Sequence, residues 1–154
     1  VRVGDALWEA SCHPVECQGG DAVAIGGYGM DVFPDSRPGQ GPLAAVYDAL
    51  ARHSTSAVVV AACDLVDLDA GTVRLLVDAA SSGDGVDVAV AATHGDRHLV
   101  AWWRAGVADR LARLLDGGVR SFRDALAELN TIDVEVSAAS VRNLNTPTDV
   151  ETRG

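Results

Sequence analysis

The stretch Ser56–Cys63, SAVVVAAC, is apolar from end to end and stops at Asp64. A strand without polar alternation belongs inside a sheet covered on both faces, the setting of a central parallel strand. Around it, strand and helix patterns alternate. Asp21–Gly27 (DAVAIGG) reads as a short buried strand feeding a loop, and Asp35–Gly41 (DSRPGQG) as a polar Pro/Gly loop. Leu43, Val46, Tyr47 and Leu50 share one face of a helix running to about His53. Within Gly71–Ala80, Val73, Leu76, Val77 and Ala80 mark a second helical face. Val86, Val88 and Val90 alternate as a strand, a polar turn at His94–Arg97 comes next, and Leu99–Trp103 is a further strand. Val107, Leu111, Leu114 and Leu115 predict a helix closed by Gly117 and Gly118. Ser121 is placed to N-cap a short helix through Leu129, and Ile132, Val134 and Val136 form the last clear strand. Strands separated by helices predict an α/β fold with a largely parallel sheet. Ligands then sit beyond the carboxyl ends of the strands, which directs attention to the loops after residues 27, 63 and 93.

Composition narrows the function classes. A chain of 154 residues suits one domain, and it buries about 68–70% of its unfolded surface without staples. Its net charge of −10 argues against a basic face for duplex DNA or anionic lipid. No apolar run approaches the ~20 residues of a membrane span, and no signal-peptide pattern is present. Three cysteines, Cys12, Cys17 and Cys63, form neither a disulfide framework nor a zinc spacing, so free thiols in a reducing cytoplasm are expected. All the Lys+Arg residues are arginine, so any contact to phosphate from these residues must use arginine or backbone. Neither G-x-x-x-x-G-K-[ST] nor G-x-G-x-x-G occurs, which removes the P-loop and dinucleotide fingerprints.

Asp64 is the sharpest chemical signal. A carboxylate directly after an apolar strand stands at the strand's lip, near solvent and backed by a dry core. Mg²⁺ takes one or two carboxylates plus substrate phosphates, and a strand end supplies one in fixed geometry. The alternative is an aspartate that only caps the next turn or helix. The loop through Gly41-Pro42-Leu43 ends at a helix start, where free N–H groups favour an anion or a base carbonyl; the alternative is an ordinary turn, the commoner reading of a Gly/Pro-rich loop taken alone. Asn143 and Asn145, two apart in an extended stretch, offer paired amides for a heterocycle or phosphate. The alternative there is a C-terminal helix capped by Thr146 with Pro147 in its first turn. His94 and His98, set around Gly95 and Asp96, make a poor metal pair. Trp102 and Trp103 point to opposite strand faces and serve core packing. Ser121 has no matched His/Asp arrangement for nucleophilic catalysis.

Four stretches stand in a familiar order: PDSRPGQGPLAAVYDAL (Pro34–Leu50), VVVAACDL (Val58–Leu65), GDRHLVAWWR through GVRSFRDAL (Gly95–Leu126) and RNLNTPTD (Arg142–Asp149). Together they resemble the molybdenum cofactor guanylyltransferases, the MobA family of nucleotidyltransferases. The resemblance implies a Rossmann-like three-layer α/β sandwich with a mainly parallel sheet, one nucleotidyltransferase domain over residues 1–154. It also implies transfer of GMP from GTP·Mg²⁺ to molybdenum-molybdopterin, with release of pyrophosphate. By position, Asp64 resembles the family's Mg²⁺-binding catalytic aspartate. Asp35 and Gly41-Pro42-Leu43 resemble its nucleotide-side aspartate and turn, and Gly27 falls where the second strand meets the guanosine. Arg97, His98, Asn143 and Asn145 fall on stretches resembling the pterin side.

The family's glycine-rich opening, of the form LAGG-x-S-x-RMG-x-DK, is absent, and VRVGDALWEA resembles the segment just downstream of that opening. The expectation is therefore a preceding segment that grips the triphosphate. Ala62 and Val66 replace the usual prolines around the aspartate, and His98-Leu99 replaces His-Pro. These departures leave open a cytidylyl or sugar-phosphate nucleotidyltransferase, or a non-catalytic molybdopterin-binding relative. The partners implied are GTP, molybdenum-molybdopterin and molybdoenzyme-maturation proteins.

Overall fold

A computed structural model describes residues 2–20 and 29–143. The order is α1 (Arg2–Glu9), β1 (Glu16–Gln18), β2 (Asp31–Phe33), α2 (Pro42–Arg52), β3 (Val58–Ala61) and α3 (Ala70–Ser82). Then come β4 (Val88–Thr93), β5 (Asp96–Trp103), α4 (Ala108–Asp116), α5 (Phe122–Ala127), β6 (Thr131–Glu135) and a 3₁₀ turn at Ala138–Val141. The strand expected at Asp21–Gly27 lies outside the described residues.

Side-chain alternation along the sheet builds a three-layer sandwich. Val88, Val90, Ala101 and Trp103 project into one core with Leu43, Val46 and Leu50 of α2, Leu111 and Leu115 of α4, and Leu126 of α5. Ala91 and Val100 project the other way, against Val3 and Ala6 of α1 and Val73 and Leu76 of α3. Each fully buried Leu or Val contributes on the order of 1.5–3 kcal/mol relative to exposure. The apolar spacing of α1 (Val3, Ala6) is too short to mark a helix in the sequence, and only packing reveals it.

Helix ends follow their sequence markers. Asp69 caps α3 by accepting the Thr72 N–H at 2.8 Å, and Ser121 caps α5 by accepting the Asp124 N–H at 3.1 Å. Gly118, at φ 95°, turns the chain out of α4 in the left-handed region.

The four-stranded sheet runs β3-β5-β4-β6, and it is mixed, not purely parallel. β4 and β6 pair in parallel, while β5 pairs antiparallel with both β4 and β3. β3, β4 and β6 thus share one direction and β5 alone opposes them. The reason is local: Thr93 pairs with Asp96, leaving only His94 and Gly95 to connect the strands. Their φ values of 51° and 88° are both positive, the two-residue hairpin geometry, and so short a loop cannot make a parallel crossover.

A second correction concerns Ser56–Cys63. Its strand, β3, is not central: among the described residues it pairs only with β5 and forms the sheet's edge, and its four residues are half-buried. The wholly buried run is instead Val88–Ala92 of β4. β1 and β2 form a separate parallel pair, Cys17 opposite Val32. No helix among the described residues is long and apolar enough to cross a membrane.

Candidate active site

The carboxyl end of β3 meets the amino end of β5, because Ala61 pairs with Val100 and the Ala62 N–H donates to the Leu99 carbonyl at 2.8 Å. Cys63 and Asp64 therefore emerge beside the start of β5, where His98 stands. Asp64 is exposed, and among the described residues its carboxylate has no hydrogen-bond or ion-pair partner. It does not cap α3, a role taken by Asp69. Its backbone carbonyl accepts the Val66 N–H at 3.0 Å, so the main chain holds the turn and leaves the side chain uncommitted.

Asn143 is brought to this lip by an antiparallel bridge with Leu65, reinforced by the Arg142–Asp67 ion pair at 2.7 Å. Asn145 and Gly27 lie outside the described residues. His98 hydrogen-bonds Thr93 across the hairpin at 2.7 Å. Arg97, its neighbour, ion-pairs with Asp133 of β6 at 2.7 Å. Successive strand residues face opposite sides, so the expected pair does not act from one surface.

The Asp35–Gly41 loop is positioned by α2. Asp48, 9% exposed, accepts the Ser36 N–H at 2.8 Å and the Ser36 hydroxyl. Arg37 is held by Asp116 at 2.8 Å and lies over the Tyr47 ring. Asp35 itself stays exposed, touched by the Gln18 amide at 3.3 Å. Gly41 precedes α2 at φ 79°, a conformation that favours glycine, and Pro42 opens the helix. Leu43 is completely buried in the core, so it can offer a ligand only its backbone.

Between the outer edge of β3 and β1 lies a cavity of about 500 Å³, walled by Val58–Cys63, Glu16–Gln18, the inner face of α2, and Trp102. At one end Glu16 binds Arg52 at 3.0 Å and His53 at 2.9 Å. Burial opposes the Glu16 charge, but these two partners outweigh it and hold the carboxyl below the usual range. Cys17 and Cys63 also line this cavity, and the Cys17 thiol is pushed up, first of all by burial. Cys63 lines the cavity, and Asp35 borders it through its contact with Gln18, another lining residue. Sequence reasoning misses Asp48 and Gln18. A helical aspartate facing an apolar row is the signal that could have flagged Asp48; nothing local could have flagged Gln18.

Among the described residues no three His, Cys, Asp or Glu side chains gather to hold a metal. Asp64 fits a different kind of site, one open, uncommitted carboxylate whose remaining oxygen ligands come from substrate phosphates and water, as Mg²⁺ prefers.

The sequence profile of the MobA-like NTP transferase domain matches residues 1–131. A protein of Deinococcus radiodurans described as a probable molybdenum cofactor guanylyltransferase is 29% identical over 123 residues, covering 79% of this chain and 64% of that one. The chain therefore spans just under two thirds of that relative. Among solved structures, the molybdopterin-guanine dinucleotide biosynthesis protein A of Archaeoglobus fulgidus superposes with a TM-score of 0.74 at 22% identity, covering 97% of this chain and 82% of that one. The 2-C-methyl-D-erythritol 4-phosphate cytidylyltransferase of Thermus thermophilus gives 0.67 at 17% identity, covering 96% and 85%. The two structures establish a shared fold.

Proposed function

This chain belongs to the MobA-like NTP transferase domain family, and on that premise we propose that it transfers GMP from GTP to molybdenum-molybdopterin. An oxygen of the acceptor's terminal phosphate bonds to the α-phosphorus, the α–β phosphoanhydride breaks, and pyrophosphate leaves. The observation that carries the reading is Asp64, an uncommitted carboxylate at a strand lip. Asp64 would hold Mg²⁺, which when bound offsets charge on the nucleotide phosphates. Asp35 and the Gly41–Leu43 backbone, with Gly27, form the nucleotide side. Asn143, next to the lip, with His98 and Asn145, forms the pterin side, while Arg97, on the opposite face of β5, stays with Asp133. Residues 1–154 act as one domain in the cytoplasm, and the product passes to a molybdoenzyme-maturation protein.

These residues position more than they react. Ser36 and Arg37 are pinned by Asp48 and Asp116, so Asp35 is presented on a fixed loop. Holding two phosphates in line supplies most of what such a transfer requires. The test is Mg²⁺-dependent transfer by the intact protein carrying Asp64→Asn, with GTP and CTP in competition. Rates should fall at least about a hundredfold, the scale of losing a main electrostatic stabiliser. Retained turnover would remove Asp64 from the reaction, and a preference for CTP would move the protein to cytidylyl transfer.

A further inference from the structure

The Asp35 carboxylate is seated against the end of β1. A methyl built on the Gly19 Cα would stand 2.9 Å from both carboxylate oxygens, closer than a side-chain carbon sits to oxygen in folded proteins. Gly19 also has φ 72°, which favours glycine, and its N–H donates to the Phe33 carbonyl at 2.7 Å. Backbone and carboxylate therefore meet here with no side chain between them. Beside this contact the Gln18 amide nitrogen donates to the Pro34 carbonyl at 2.9 Å, and to one oxygen each of Asp35 and Asp48 at 3.3 Å.

The direction of that amide is set from its other end. Its oxygen accepts from the Arg52 guanidinium at 3.0 Å, and arginine offers donors only, so the amide NH₂ must face the loop. Arg52 is in turn held by Glu16 at 3.0 Å and lies 3.8 Å from the centre of the Phe33 ring. The two carboxylates that share the amide differ. Asp48 is buried and committed to Ser36, whereas Asp35 is exposed and gives Gln18 only one of its oxygens. We propose that Gln18 and Gly19 are positioning residues for the transfer, which act through Asp35 by fixing the direction in which its second oxygen meets the nucleotide. The proposal rests on the reading of Asp35 as a nucleotide-side residue.

The test is calorimetric binding of GTP with Mg²⁺ to the intact protein, in wild type, Gln18→Met, Asp35→Ala and the double variant, each shown to be folded by its unfolding midpoint. Methionine keeps the length of glutamine without its hydrogen bonds. Gln18→Met should weaken binding about fivefold, the scale of one typical hydrogen bond, and Asp35→Ala at least as much. The double variant should bind no more weakly than Asp35→Ala alone, because Gln18 then has no carboxylate to direct. The same loss from Gln18→Met in both backgrounds would mark a merely structural residue and overturn the proposal. So would full binding by Gln18→Met where Asp35→Ala binds weakly. Full binding by Asp35→Ala would instead remove Asp35 from the nucleotide side and overturn the underlying reading with it. Gly19→Ala supplies a second check: it should weaken binding when Asp35 is present and add nothing in Asp35→Ala, where the methyl has room. An equal loss from Gly19→Ala in both backgrounds would overturn its assignment.

Discussion

Two aspartates mark opposite ends of the sheet. Asp87 stands just before β4 and Asp64 just after β3, and each borders an apolar run. Asp87 is 2% exposed and fully engaged: Arg104 and Arg110 ion-pair with it and the Asn130 N–H donates at 3.0 Å. Asp64 is exposed and its side chain engages nothing among the described residues. A buried carboxylate must be paired or it destabilises the fold, whereas an exposed one at a strand lip is free to take a ligand. The difference locates stability at the amino end of β4 and leaves an uncommitted carboxylate at the carboxyl end of β3. The strands repeat the contrast, since Val88–Ala92 is wholly buried while the equally apolar β3 is half-buried against a cavity.

The comparison breaks most directly at Asp87. Asp87→Ala leaves two guanidinium groups without their partner and should cost about 3 kcal/mol by chemical denaturation, the lower end for one member of a buried pair. The same residue sets an acid dependence. Burial by itself raises its pKa, but the Asn130 N–H, Arg104 and Arg110 together outweigh burial and hold the carboxyl below its ordinary value. A group lowered in the folded state stabilises fully above its unfolded pKa, about 3.9, and loses that contribution as pH falls toward the folded value. Wild-type unfolding midpoints should therefore drop below about pH 4, and Asp87→Asn should flatten that drop.

The strand contrast predicts a smaller pair of effects. Val90→Ala, in the wholly buried run, should cost about 2–3 kcal/mol, and Val60→Ala, facing the cavity, about 1 kcal/mol. Equal losses at the two positions would show that the edge strand is as tightly packed as the interior. Smaller still, Asp69→Ala removes the α3 cap and should cost about 1 kcal/mol, with transfer rates unchanged. A loss of transfer with that substitution would place Asp69, rather than Asp64, at the site.

Much of this is legible in the chain. Pro42, Ser121 and the Gly117-Gly118 pair each act through local backbone chemistry, and each stands where local rules put it. The hidden features depend on pairing. The apolarity of SAVVVAAC fits a central strand and a cavity-facing edge strand equally, because composition reports burial and not neighbours. The reversal of β5 is readable from His94-Gly95, a two-residue loop with glycine at its second position, but the flanking polar residues disguise it as a longer turn. The Asp35 loop is recognisable as a segment, while its anchor, Asp48, sits within a helix and is identified only by the groups it holds.

The central claim is that Asp64 is a ligand-binding carboxylate with no structural duty. The most direct measurement is calorimetric GTP binding by wild type and Asp64→Asn, with and without Mg²⁺, alongside their unfolding midpoints. Wild type should bind GTP more tightly with Mg²⁺, and the variant should lose that gain while its stability stays within about 0.5 kcal/mol. An unchanged Mg²⁺ dependence in a stable variant would contradict the account.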